Sequence, residues 1–115
     1  MDLTATQRQH IQLRVDEGAR LLDRERPTWH VDLRQSIDAD SPLDMARCEQ
    51  CVLGKLEGDY DEAMTTLFPK LSGPEQEEKA IELGFTLPGY LRNSPDPFLT
   101  HDAWRYLGWC WLAKL

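Results

Sequence analysis

Apolar residues recur at helical spacing in the first segment of the chain. The stripe consists of Ile11, Val15, Gly18, Ala19 and Leu22. A spacing of three to four residues predicts an amphipathic helix over residues 4–26. Thr4 with Gln7 forms a capping box that places its start, and Pro27 should end it, because proline lacks a backbone donor and restricts the residue before it.

The pattern changes after Pro27. Trp29, Val31 and Leu33 alternate with polar residues, as in a short strand. We therefore keep open a small β-hairpin or extended segment near residues 29–37.

The stretch SPLD at residues 41–44 has the residue types of a helix start: serine as cap, proline in the first turn and an acid near the positive end of the dipole. The predicted helix carries Cys48 and Cys51 and ends at Gly58, a left-handed stop. Gly54 inside it costs about 1 kcal/mol relative to alanine, so it predicts a close packing contact or a break.

Cap residues place three later helices. Asp59 caps the first, Ser72 with Glu75 caps the second, and Thr100 caps the last. Residues 85–98, rich in proline and glycine, predict a loop over the core. The pattern as a whole predicts a mainly α, compact single domain of about five short helices.

Length and composition agree with that prediction. At 115 residues the chain fits one domain, residues 1–115, that buries about two thirds of its unfolded surface. No apolar run approaches the roughly 20 residues that span a bilayer, and the polar start lacks the apolar stretch of a signal peptide. We therefore expect a cytoplasmic protein that does not enter a membrane.

The net charge of −7 is concentrated in the middle of the chain. Residues 37–86 hold four Lys/Arg against twelve Asp/Glu. Such a segment repels phosphate, so we expect no direct binding of nucleic acid. It can attract a basic partner surface, or simply keep the protein soluble.

The last predicted helix is apolar around most of its circumference. Trp104, Trp109 and Trp111 lie within eight residues of one another. Tryptophan supplies large rigid area at interfaces, so these three are candidates for contact with a protein partner or a second copy in a homodimer. The alternative is that this helix forms the centre of the core.

Two cysteines at i and i+3 can point at one spot on a helix. A structural zinc site needs four ligands, of which Cys48 and Cys51 supply two. Zinc is therefore a candidate cofactor only if further ligands come from elsewhere, and His30, His101 and Cys110 are the candidates.

A redox role and a packing role are the other interpretations of the pair. The charge of Glu49, between the cysteines, opposes the thiolate that redox chemistry needs. Buried reduced cysteine is common in cores. The chain contains no GxSxG, phosphate loop, GxGxxG or HExxH. We predict no catalytic residues and no enzymatic activity.

Several stretches of the chain are similar in sequence to stretches in a known group of proteins and follow one another in the same order. These are GARLLDRERPTWHVDL (18–33), CEQCVLGKLEGDYDEAM (48–64), AIELGF (80–85) and LTHDAWRYL (99–107). In them the chain resembles a group of small actinobacterial and actinobacteriophage proteins that share a CxxCVLGxLxGDY motif and have no assigned activity. Lys55 stands where that group usually has glutamine.

The resemblance implies a small accessory protein, phage or prophage encoded, that acts in a bacterial cytoplasm by binding a host protein. It also associates the cysteine pair with Gly54, Gly58, Asp59 and Tyr60 as one structural motif. We therefore expect a non-enzymatic binding protein whose contact surface is acidic or aromatic. A zinc-stabilised module and a CxxC thiol oxidoreductase are the alternatives.

Overall fold

The computed structural model describes residues 3–115, which form seven helices and no strand. In chain order the helices are α1 (Ala5–Glu25), α2 (Trp29–Ser36), α3 (Val52–Glu57), α4 (Tyr60–Leu67), α5 (Gly73–Glu82), α6 (Gly89–Arg92) and α7 (Pro97–Leu112). The prediction of a mainly α fold is confirmed. None of these helices is both long and apolar enough to cross a bilayer.

Helix α1 begins as its capping box predicts. The Gln7 N–H donates to Thr4 Oγ1 at 3.1 Å, and the Thr4 N–H donates to Gln7 Oε1 at 2.9 Å. The helix ends before Pro27, as predicted. Its apolar stripe is buried against α5 and α7.

The strand interpretation of residues 29–37 is wrong. Trp29 and Leu33, four residues apart, are completely buried on one face of α2, whereas Val31 is 49% exposed. The buried residues Trp29 and Leu33 follow the period of a helix, about four residues, and not the period of two that the alternation of polarity suggested. The buried indole of Trp29 donates a 2.8 Å hydrogen bond from Nε1 to Asp23 Oδ1, which ties α2 to the end of α1.

The helix predicted from Ser41 onward is also wrong, because α3 begins only at Val52. Residues 44–51 form consecutive turns instead. The Asp44 carboxylate accepts the Ala46 N–H at 3.0 Å, and the Asp44 N–H donates to Gln50 O at 2.9 Å. An Asx-turn offers the backbone an alternative to a helix at the point where the sequence resembles a helix start.

Lys55 of α3 ties the end of α2 to Ser41, which precedes these turns. Its Nζ donates to Ser36 O at 3.0 Å, Ser41 O at 2.8 Å and Ser41 Oγ at 2.7 Å. The three acceptors use all three donors of the ammonium group. Lys55, one of the few basic residues in the acidic middle of the sequence, therefore has a structural role.

Two later caps are confirmed and one is wrong. The Asp59 carboxylate accepts backbone N–H groups at the start of α4, and Ser72 with Glu75 forms a capping box at the start of α5. Helix α7 begins at Pro97 with Asp96 as its cap, not at Thr100. The Thr100 hydroxyl instead donates to Leu91 O at 3.0 Å, which ties α6 to α7. The short α6 lies within the predicted loop.

Three aromatic rings lie at the centre of the core. Trp111 stacks on Phe85 with ring centroids 5.5 Å apart and meets Trp29 edge-on at 5.7 Å. Its Nε1 donates a 2.7 Å hydrogen bond to Gly84 O. Helices α1, α2 and α7 and the segment after α5 therefore share one core, and the Cα radius of gyration of 13.5 Å is close to the ~13 Å of a compact domain of this length.

Candidate functional site

The cysteine motif folds into a tight corner between α3 and α4. The carbonyl oxygen of Cys48 accepts a 3.0 Å hydrogen bond from the Tyr60 N–H. A Cβ at Gly54 would overlap the backbone of Cys48 and Glu49, so only glycine lets the turn lie against α3. The predicted close packing contact at Gly54 is therefore present.

Two further residues of the motif complete the corner. Gly58 ends α3 with φ of 94°, in the left-handed region that favours glycine, and its N–H donates to Gly54 O. Asp59 follows at once as the cap of α4. The stop and the start predicted from these two residues are both confirmed by the structure.

Cys51 is the N-cap of α3. Its sulfur accepts the Gly54 N–H at 3.3 Å, and the side chain is buried. Burial raises the pKa of the Cys51 thiol, an effect that the backbone donors at the start of the helix reduce. The sequence placed this residue inside a helix, but it lies at the N-terminus of α3, where its sulfur accepts a backbone N–H.

Cys48 differs from its partner because its side chain is exposed. Its backbone oxygen anchors the corner, yet the structure assigns no packing role to its thiol. The packing interpretation therefore fits Cys51 and does not extend to Cys48.

Both cysteines line a cavity of about 180 Å³, here called the motif cavity, together with Tyr60, Glu77 and Arg92. Arg92 pairs with Glu77, and the Tyr60 hydroxyl donates to Glu77 Oε2 at 3.3 Å. Burial, with the adjacent Glu77 charge, raises the pKa of Tyr60 far above its ordinary value. Tyr60 therefore stays protonated at neutral pH and acts as a hydrogen-bond donor.

The predicted further metal ligands lie elsewhere. His30 stacks on Trp29 with ring centroids 4.0 Å apart, and Cys110 lines a depression between α1 and α7 beside Tyr106. His101 is exposed on α7. Among residues 3–115, no three His, Cys, Asp or Glu side chains form a group that could hold a metal ion. The structure therefore brings none of the three to the cysteine pair, and a four-ligand zinc site would need ligands from outside residues 3–115.

The three tryptophans of the C-terminal helix separate into different environments. Trp111 is completely buried and belongs to the core, so it is not available for the contact with a partner that the sequence suggested. Trp104 is half-buried. Trp109 is 64% exposed, although tryptophan has the largest apolar side chain. An apolar helix of this kind can serve the core on one face and present another to solvent.

Trp109 borders three neighbouring depressions. The largest, here called the Trp109 groove, has a volume of about 400 Å³ and runs between α7 and the segment before α3. Its apolar lining consists of Pro42, Leu43, Met45, Trp104, Trp109 and Leu112. Two smaller depressions, of about 170 and 240 Å³, lie on the other side of the indole against α1. The sequence indicated the tryptophans, but not that residues 42–45 form the opposite wall.

Most acidic side chains in the middle of the chain form hydrogen bonds or ion pairs within the protein. Seven of the twelve acidic residues between 37 and 86 cap helices or turns or pair with Arg and Lys. They are Asp38, Asp44, Glu57, Asp59, Glu75, Glu77 and Glu82. The acidic composition is thus largely explained by the fold, whereas the exposure of Trp109 is not.

Comparison with known proteins finds no family model, no curated protein and no solved structure that matches the chain. The resemblance of the motif to the actinobacterial and phage group stays a prediction.

Proposed function

We propose that this protein is a small, non-enzymatic accessory protein that binds a host protein through the Trp109 groove. The proposed setting is the cytoplasm of a bacterium, with the gene of phage or prophage origin. The resemblance of the CxxCVLGxLxGDY stretch supports this setting.

The single observation that carries the proposal is the exposed indole of Trp109 beside an apolar groove. The core does not use the Trp109 side chain, because the indole that α7 contributes to the core is that of the completely buried Trp111. Exposed tryptophan next to a concave apolar surface is typical of a binding hot spot. Leu112, 43% exposed, extends the same surface along α7.

The occupant that fits this surface is a protein segment with large apolar side chains. The groove is lined by residues of α7 from His101 to Leu112, as in complexes where apolar anchors of one chain enter a groove along a helix of another. Asp44 and Arg105 add one charge of each sign to its lining, and His101 adds a polar ring. The partner therefore needs an apolar stripe with mixed charges at its edges rather than a basic surface.

The experiment compares the loss of one aromatic side chain inside the groove with the loss of one outside it. Tagged wild-type protein, Trp109→Ala and Phe98→Ala are incubated with lysate of an actinobacterial host. Phe98 is the matched control, because it is 74% exposed on the same helix and lines none of the three depressions. Loss of a hot-spot tryptophan costs at least about 2 kcal/mol, or roughly 30-fold in Kd.

We expect one host protein that wild type and Phe98→Ala retain and Trp109→Ala loses. Equal capture by all three forms would contradict the proposal. A dimer in the native mass spectrum that Trp109→Ala dissociates, with no host protein retained, would assign the groove to a homodimer instead.

A further inference from the structure

Three sulfur-bearing side chains line the motif cavity. Met45, Cys48 and Cys51 all come from the turns before α3, and they border the same space of about 180 Å³. Met45 is 5% exposed and packs towards Gly108 of α7, so the segment that carries the sulfurs is fixed against the core. Met45 and Cys51 are therefore buried beside the exposed Cys48 around one cavity.

Polar and charged groups border the thiols of the motif cavity. The Gly54 N–H donates to the Cys51 sulfur at the start of α3, and the Arg47 and Arg92 side chains line the same cavity. Glu77 also lines it, but its carboxylate is engaged by Arg92 and by the Tyr60 hydroxyl. The backbone donors at the start of α3 reduce, but do not reverse, the effect of burial that raises the pKa of the Cys51 thiol, so binding of a metal ion there has to displace the thiol proton.

We propose that the motif cavity binds one soft monovalent metal ion, Cu(I), between the thiolates of Cys48 and Cys51, with the Met45 thioether as a third ligand. Thiolate and thioether sulfur are the ligands that Cu(I) prefers. Zinc takes four N, S or O ligands, and no third His, Cys, Asp or Glu joins the pair within residues 3–115.

Binding involves no change of oxidation state. The ion enters as Cu(I), one Cu–S bond forms to each cysteine, and the two thiol protons leave to solvent. Because ligand deprotonation accompanies binding, the affinity for Cu(I) falls as the pH is lowered. In this site the exposed Cys48 thiol is a metal ligand, whereas only the backbone of Cys48 contributes to the corner between α3 and α4.

The test is a competition for Cu(I) under anaerobic conditions. Reduced full-length protein is titrated into the Cu(I) complex of bathocuproine disulfonate, whose colour reports the metal that remains. We expect one equivalent to transfer, with an ultraviolet thiolate-to-copper charge-transfer band. An excess of zinc should not displace the ion.

Serine variants locate the ligands without disturbing the fold. Cys51→Ser retains an N-cap side chain, and Cys48→Ser changes an exposed position. Cys110→Ser is the matched control, because that thiol lies outside the cavity. Substitutions behind metal ligands already lower affinity by about 10- to 100-fold, so loss of either thiolate should lower it by more.

Met45→Leu keeps the buried volume and removes the thioether. It should lower the affinity for Cu(I) while the stoichiometry stays at one. An unchanged affinity would overturn the assignment of Met45 as a ligand. Failure of the wild-type protein to take Cu(I) from the chelator, or equal loss in Cys110→Ser and Cys48→Ser, would overturn the site. Capture of the host protein by the Trp109 groove is a separate measurement, so either proposal can fail alone.

Discussion

The N–H of Tyr60 donates a 3.0 Å hydrogen bond to the carbonyl oxygen of Cys48, so the two ends of the cysteine motif meet. Between them, Gly54 admits the backbone of the turn, Gly58 ends α3 and Asp59 starts α4. The motif is thus a compact corner, and its conformation holds the segment that forms one wall of the Trp109 groove.

Gly54→Ala should destabilise this corner. The added Cβ overlaps the backbone of Cys48 and Glu49, which cannot yield as a flexible side chain could. Overpacking of this kind costs about 3 kcal/mol in the free energy of unfolding. Gly73→Ala is the control, because a Cβ there meets no atom and should change stability by less than about 1 kcal/mol. Urea denaturation measures both, and similar midpoints for the two variants would refute the packing role of Gly54.

Lys55→Met should remove the link between Ser41 and the end of α2. The substitution keeps most of the length of the side chain but removes three donors, which leaves Ser36 O and Ser41 O without the ammonium group. Hydrogen bonds from charged groups contribute about 1.5–3 kcal/mol each, so we expect a loss of at least about 2 kcal/mol. Lys70→Met, at an exposed position, should stay within about 0.5 kcal/mol. If thermal unfolding shows no difference between the two, the Lys55 contacts do not stabilise the fold.

Trp111→Phe and Trp109→Phe should differ sharply in stability. The first removes the donor to Gly84 O and leaves a buried acceptor unsatisfied, which costs about 1–3 kcal/mol before any loss of packing. The second changes a mostly exposed side chain and should stay within about 0.5 kcal/mol. Guanidinium denaturation distinguishes them, and an equal loss would contradict the placement of Trp111 in the core.

Alkaline pH should weaken the fold through Cys51 and Tyr60. Burial raises the pKa of both groups in the folded state, so folding favours their protonated forms. Their contribution is complete below the unfolded pKa values, about 8.5 for a thiol and 10 for a phenol, and is lost as the pH rises above them. Cys51→Ser should therefore reduce the fall in unfolding free energy between about pH 8 and 10, and Tyr60→Phe the fall above about pH 10.

Urea midpoints measured across this range provide the check. Cys48→Ser replaces the exposed thiol of the pair, and Tyr90→Phe replaces a tyrosine that is 58% exposed. A fall with pH that neither Cys51→Ser nor Tyr60→Phe reduces would show that other groups cause it.

Local signals in the sequence were sufficient for much of the fold. The capping boxes at Thr4 and Ser72, the cap at Asp59 and the stop at Gly58 depend on side chains within three residues, so they were predicted correctly. The helix predicted from Ser41 is wrong, because the turns at 44–51 are held by contacts with Gly54 and Tyr60, which lie five to twelve residues beyond the residues that they contact.

The candidate site was predictable only in part. The tryptophans of α7 were identified, but a helix that is apolar all round does not indicate which side chain the rest of the fold will cover. Trp111 was covered by Phe85 and Trp29, and Trp109 was left exposed. Arg92 and Glu77, which border the motif cavity, lie far along the chain from the cysteines and carry no local signal.

A photo-cross-linking amino acid at position 109 tests the proposed binding surface most directly. The same residue at position 98, equally accessible on α7, is the control. On illumination in cells of an actinobacterial host, position 109 should form one covalent adduct with a host protein, and position 98 should form none. No adduct from position 109, or the same adduct from both positions, would contradict binding through the Trp109 groove.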